Sequence, residues 1–120
     1  MINRPEQLRE RLLRFIVRVM RIGSALPRTP EGQQIRGQVF DAASSTGSNY
    51  SEACDAESGD DFIHKMKVVL KELRETDFWL RLIVAAGLLP MSRMKDVLKE
   101  SDELIRIFVS SINTARRNRR

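Results

Sequence analysis

Cysteine, histidine and tryptophan each occur once in this 120-residue chain, as Cys54, His64 and Trp79, and aromatic residues make up only 6% of it. A lone cysteine closes no internal disulfide, so a reducing compartment fits best and the cytoplasm is the expected location. No apolar run approaches the roughly 18 residues that cross a bilayer, so no membrane span is expected. The first nine residues carry charge, with no apolar region following, so no signal peptide is expected. Low-complexity linkers and internal repeats are absent too. What remains is 42% apolar and 31% charged, interleaved along the chain. That length and mixture suit one domain that buries its own core without disulfide or metal.

The chemistry of catalysis is equally sparse. A nucleophile needs a base beside it and a third group to orient that base. Cys54 and His64 lie ten residues apart across an expected turn, with no evident orienter, so no catalytic residue and no cofactor are expected. Glu52, Asp55, Glu57, Asp60 and Asp61 crowd one helix end. They read as a solvated face plus cap charges, with a divalent ion as the alternative, and their spacing is not that of a calcium loop. Gly87 is followed by Leu88 rather than a Lys-Ser/Thr pair, so no phosphate-cradling loop exists.

Charge is plentiful but uneven. Lys and Arg number 21 against 16 acids, a net +5. Residues 40–61 hold six acids and no Lys or Arg, which leaves +11 on the remainder. Arginines concentrate near the start (Arg4, Arg9, Arg11, Arg14, Arg18, Arg21) and at the end (Arg116, Arg117, Arg119, Arg120). Such regions meet either phosphate or the acidic region of a neighbouring copy.

A helical template fits nearly everywhere and strand alternation nowhere for long. Leu8, Leu12, Phe15, Ile16, Val19, Ile22 and Leu26 predict a helix over about 5–25, opened by Pro5 and stopped before Pro27. Thr29 then caps a second helix over about 30–57, with Pro30 in its first turn. Its apolar face is small: Ile35, Val39, Ala42, Ala43, Thr46, Asn49, Tyr50 and Ala53. Gly37 and Gly47 each cost about 1 kcal/mol of propensity, which points to a tightly packed interior helix, or else a break near Gly47. Ser58 caps a third helix whose core face is Phe62, Met66, Val69, Leu70, Leu73, Leu80, Ile83 and Val84, ended by Ala86-Gly87. Ser92 starts the fourth, with Met94, Val97, Leu98, Leu104, Ile105, Phe108 and Ile112 as its stripe. Short connections make successive helices antiparallel, so the expected fold is an all-α up-down-up-down four-helix bundle over 1–115, with a basic tail over 116–120.

Several strings in these helices resemble a known family. They are Leu26-Pro27-x-Thr29-x-Glu31, Gln38-Val39, Ser44-Ser45, Asn49 and Glu52-Ala53 in the second helix. The third adds Ser58-x-x-Asp61-Phe62-Ile63-His64-Lys65, Lys71 to Thr76 and Phe78-Trp79-Leu80-Arg81-Leu82-Ile83. The family is that of the protein encoded in intervening sequences of bacterial large-subunit ribosomal RNA genes, which also includes the accessory variability determinant of diversity-generating retroelements. The resemblance implies a barrel-like homopentamer and a role binding RNA or DNA, for some members beside a reverse transcriptase. Asp41 and Ala42 stand where the family commonly has an Arg-Ser pair, which weakens any nucleic-acid contact from that part of the second helix.

The candidate nucleic-acid residues are therefore Arg4, Arg11, Arg14, Arg18, Arg21, Arg116, Arg117, Arg119 and Arg120. Arg11, Arg14, Arg18 and Arg21 recur at helical spacing as a stripe expected opposite the apolar face. The up-down topology brings Arg4 to the C-terminal arginines. No aromatics interleave with them, so backbone-directed binding is expected rather than base recognition. The alternative is a solvated face, or a module whose charges organise an oligomer. Asn49 and Glu52 read as interhelical or intersubunit hydrogen-bond partners, since a buried polar group needs pairing. Phe78 and Trp79 are adjacent, so one is expected in the core and the other at a subunit interface.

Overall fold

The structure, a computed structural model, describes residues 4–118. It holds α1 (Pro5–Ser24), α2 (Pro30–Cys54), α3 (Gly59–Ala85) and α4 (Met91–Asn118), and no strand among the described residues. The helices pack in sequence, α1 on α2, α2 on α3 and α3 on α4; α4 closes on α1 by the thinnest seam, leaving α1 and α3 at opposite corners. The molecule measures 50 × 25 × 21 Å. That is one long helix by two helix diameters each way, as an up-down bundle requires.

The helix ends follow local chemistry. Thr29 Oγ1 accepts the Gly32 amide at 3.1 Å and Ser58 Oγ accepts the Asp61 amide at 3.0 Å, the two caps read from the sequence. Gly32 is needed for space, because a Cβ there would sit 2.1 Å from the Pro27 carbonyl oxygen. Gly87 ends α3 at φ +67°, where its amide donates to the Val84 carbonyl and that of Leu88 reaches back to Ile83, each at 3.0 Å. This arrangement satisfies two carbonyls that the helix end would otherwise orphan.

Three boundaries differ from expectation. α2 stops at Cys54, short of residue 57: the Asp55 and Ala56 amides donate three residues back, each at 3.1 Å, and Asp61 takes the Glu57 amide at 3.2 Å. α4 begins at Met91, so Ser92 lies inside its first turn, and it stays helical through Arg116 and Arg117. α2 is unbroken at Gly47, where a Cβ would lie 3.0 Å from Ile16 Cδ1. The second glycine of that helix is different, because nothing lies within 4 Å of where a Gly37 Cβ would be.

The core runs the length of the bundle through Leu12, Phe15, Val39, Leu73, Leu80, Leu104 and Phe108. Tyr50 meets Phe108 edge to face, with ring centroids 5.6 Å apart. Ile16, Phe62, Leu70, Val84 and Ile105, expected in the core, are only half-buried, whereas Ile63, Thr76 and Ser101 are fully buried. The last two are polar and each finds a partner: Thr76 Oγ1 donates to the Glu72 carbonyl at 2.8 Å, and Ser101 Oγ to Asp77 at 3.0 Å.

Candidate nucleic-acid and subunit interfaces

The four residues 100–103 of α4 form a polar girdle that fixes its register. Glu100 and Glu103 reach α1, while Ser101 and Asp102 reach α3. Arg11 donates to Glu100 through Nε and Nη2, at 2.7 and 2.9 Å, and to Glu103 at 2.6 Å. On the other flank Arg81 bridges Asp77 at 2.8 Å and Asp102 at 3.2 Å. The hydrogen bond to Glu100, before any other cause, pushes the Arg11 guanidinium above its ordinary range; that to Asp77 does the same for Arg81.

This geometry revises the arginine stripe. Arg11 is turned into the α1–α4 seam and neutralised by its own subunit. Arg14 and Arg18 share a 200 Å³ pocket with Arg11 and Glu100, so the stripe lies along the flank of α1 that meets α4. It does not lie opposite the core. That outermost face carries Leu13, Val17 and Met20, which are 54%, 37% and 45% exposed. Arg14 comes only within 4.0 Å of Glu10, and among the described residues Arg18, Arg21 and Arg116 have no acidic partner.

The first turn of α1 and the last turns of α4 share one cleft. Pro5, Thr114 and Ala115 line this cleft of about 750 Å³, so the start of α1 and the last turns of α4 lie at the same end of the bundle. The opposite wall of that cleft is built from Ala53, Cys54, Ala56 and Ser58, the approach to the acidic cluster. Acidic and basic groups thus share one bundle end, divided between α2–α3 and α1–α4. Arg119 and Arg120 lie outside the described residues. Burial, then a hydrogen bond shared with the Cys54 thiol, pushes the Tyr50 hydroxyl above its ordinary range. His64 is exposed. Among the described residues no three or more His, Cys, Asp or Glu side chains are placed to hold a metal ion. The backbone amide of Glu57, then Lys65 at 3.1 Å, draws the Asp61 carboxyl below its usual range.

The remaining candidates sit on the bundle surface. Asn49 is half-buried, and its amide donates to the Ser45 carbonyl at 2.9 Å within α2 rather than across helices. Glu52 is exposed. Neither aromatic fills the core: Phe78 is 57% exposed, and Trp79 is half-buried against the core's edge. The two rings pack edge to face at 5.1 Å, with the indole N–H directed at Glu75.

Two features escaped the sequence reading. Leu13, Val17 and Met20 make a second apolar stripe in α1 at steps of four and three, legible in principle but masked by the stronger core stripe. Phe40 joins them from α2, beside a groove of about 400 Å³ over Gly37. Arg36 was unremarked as well. It folds across Gly23, donating to the Gly23 and Leu26 carbonyls at 2.8 and 3.4 Å, and so caps the end of α1.

No helix of the described residues is long and apolar enough to cross a membrane. The model of the 23S rRNA-intervening sequence protein family matches residues 7–110. A protein of unknown function from the S23 ribosomal protein family of Bacteroides thetaiotaomicron has a similar solved structure. Its TM-score is 0.81 at 28% identity, covering 88% of this chain and 97% of the other. No curated protein matches the sequence.

Proposed function

Since the chain belongs to the 23S rRNA-intervening sequence protein family, we propose that it is a non-catalytic, homo-oligomeric cytoplasmic scaffold that binds RNA or DNA backbone. The pentamer implied by the family resemblance is the assembly favoured, and a reverse transcriptase is the kind of enzyme such an accessory serves. The observation that carries this reading is the set of exposed arginines without an acidic partner among the described residues, Arg18, Arg21 and Arg116. Arg4, Arg14 and Arg117 extend the set, and oligomerisation repeats it around an axis. Exposed cations without an acidic partner in the described subunit are available to phosphate, and multiplying them raises affinity without base readout.

The test is a salt series of binding to a structured RNA. Log affinity falls linearly with log salt, and each arginine neutralised among Arg18, Arg116 and Arg117 lowers the slope by about one. Absent or salt-independent binding by the intact assembly refutes the reading.

The Arg11 contacts favour a second reading, a structural or protein-interaction module without nucleic acid. Arginines of this stripe meet carboxylates when one is near, as Arg11 meets Glu100 and Glu103. In that reading Arg14 and Arg18 dock on a neighbouring copy. Reversing both charges then dissociates the oligomer, and RNA has no effect.

A further inference from the structure

Resting on the homo-oligomeric reading above, we propose that the ridge formed on α3 by exposed Phe78 and half-buried Trp79 in one copy seats in the α1–α2 groove of the next, over Gly37. The contact is heterologous. Two different surfaces mate, and the series of copies closes on itself as a ring.

Four of the six large apolar side chains that the described subunit exposes, Leu13, Val17, Met20 and Phe40, gather along α1 and α2. Phe78, the most exposed of all, projects from α3. Contiguous exposed apolar surface marks an interaction site. α1 and α3 occupy opposite corners, so the two patches face apart. A twofold contact of α1 on α1 covers one patch and leaves the other wet in every copy. Joining unlike patches covers both, and only closure covers them in all copies.

The shapes are suited as well. One surface is a concavity of about 400 Å³ and the other an edge-to-face pair of rings led by the most exposed aromatic of the described subunit. Gly37 supplies the independent observation. It is exposed in mid-helix, where glycine costs about 1 kcal/mol against alanine, and no neighbour in its own subunit needs the space. An approaching side chain from outside gives the missing Cβ a purpose. Arg36, the cation lining the groove, is already turned inward onto the carbonyls of Gly23 and Leu26, so covering the groove leaves those two donors satisfied.

The experiment is sedimentation velocity on the full chain, wild type against Phe78→Glu and against Gly37→Leu with Met20→Glu, with circular dichroism melts as a folding control. Both variants alter exposed positions and keep the helical signal. Each weakens self-association at least about thirtyfold, as loss of a central anchor does, and runs at the 13.8 kDa subunit mass. Mixed together they form a one-to-one dimer, because one intact groove meets one intact ridge. An oligomeric wild type whose Phe78→Glu variant keeps full mass overturns the docking, as does a mixture that stays monomeric. A wild type that is itself monomeric overturns the oligomeric reading instead. If that monomer cosediments with anionic phospholipid vesicles, the groove belongs to a lipid surface and the docking is again refuted.

Discussion

Replacing Arg11 with methionine tests whether the thin α1–α4 seam depends on its ion cluster. Methionine keeps most of the apolar stem and removes the guanidinium alone. The Arg11 and Glu100 side chains are 25% and 19% exposed, while Glu103 is 43% exposed. A fully buried pair costs about 3–5 kcal/mol to break, and an exposed one 0–1 kcal/mol. With a quarter of the Arg11 side chain in water, and Glu103 adding little for the same reason, the loss is about 1–2 kcal/mol. For a chain of this size that lowers Tm by about 3–10 °C. The assay is a double-mutant cycle of Arg11→Met and Glu100→Gln by chemical denaturation, at one fixed protein concentration so that association is held constant. The coupling shrinks as ionic strength rises from 0.1 to 1 M, where the screening length falls from about 10 to 3 Å. A coupling below about 0.3 kcal/mol at low salt, or one that salt leaves unchanged, refutes the reasoning.

Other expectations follow from single sites. Gly87→Ala forces a Cβ into the left-handed region and costs about 1–2 kcal/mol in equilibrium unfolding. Gly32→Ala costs more, about 3 kcal/mol, because its Cβ meets the Pro27 carbonyl; a smaller loss means that the loop yields. Phe108→Ala removes the single, fully buried aromatic of α4 and destabilises by about 3–5 kcal/mol. The Glu72 carboxyl is raised above its usual range by burial and then by Glu75. Its folded state therefore favours the protonated form, and the resulting stability is present at low pH and lost as pH rises through the folded value. Glu72→Gln accordingly stabilises at pH 7, by about half a kcal/mol at this partly exposed site, and has no such effect below pH 4. The opposite pH dependence would be a contradiction.

Helix number, order, caps and most of the core were legible in the residues, because each rests on local chemistry. A threonine before Pro30, a serine before two aspartates and a glycine after Ala86 act within a turn or two. The apolar period needs only that each helix hide one face. That the start of α1 and the last turns of α4 lie at one end of the bundle was legible too, since short connections leave the helices no other course than alternation. Which flank of α1 carried the arginines was not. The period says that Arg11, Arg14, Arg18 and Arg21 share a side; only packing against α4 shows that this side borders Glu100 and Glu103. The same holds for Phe78 and Trp79, whose adjacency excluded a common direction but not the outcome that neither enters the core. Asn49 looked buried beside alanine and serine, yet its hydrogen bond closes within its own helix.

The sequence by itself determined four helices, because capping and the 3.6-residue period are written in neighbours a few positions apart. Tertiary structure alone decided which charges cancel and which apolar side chains stay wet. Both depend on the rotation of each helix about its axis, which is set by the sum of contacts with two other helices distant along the chain.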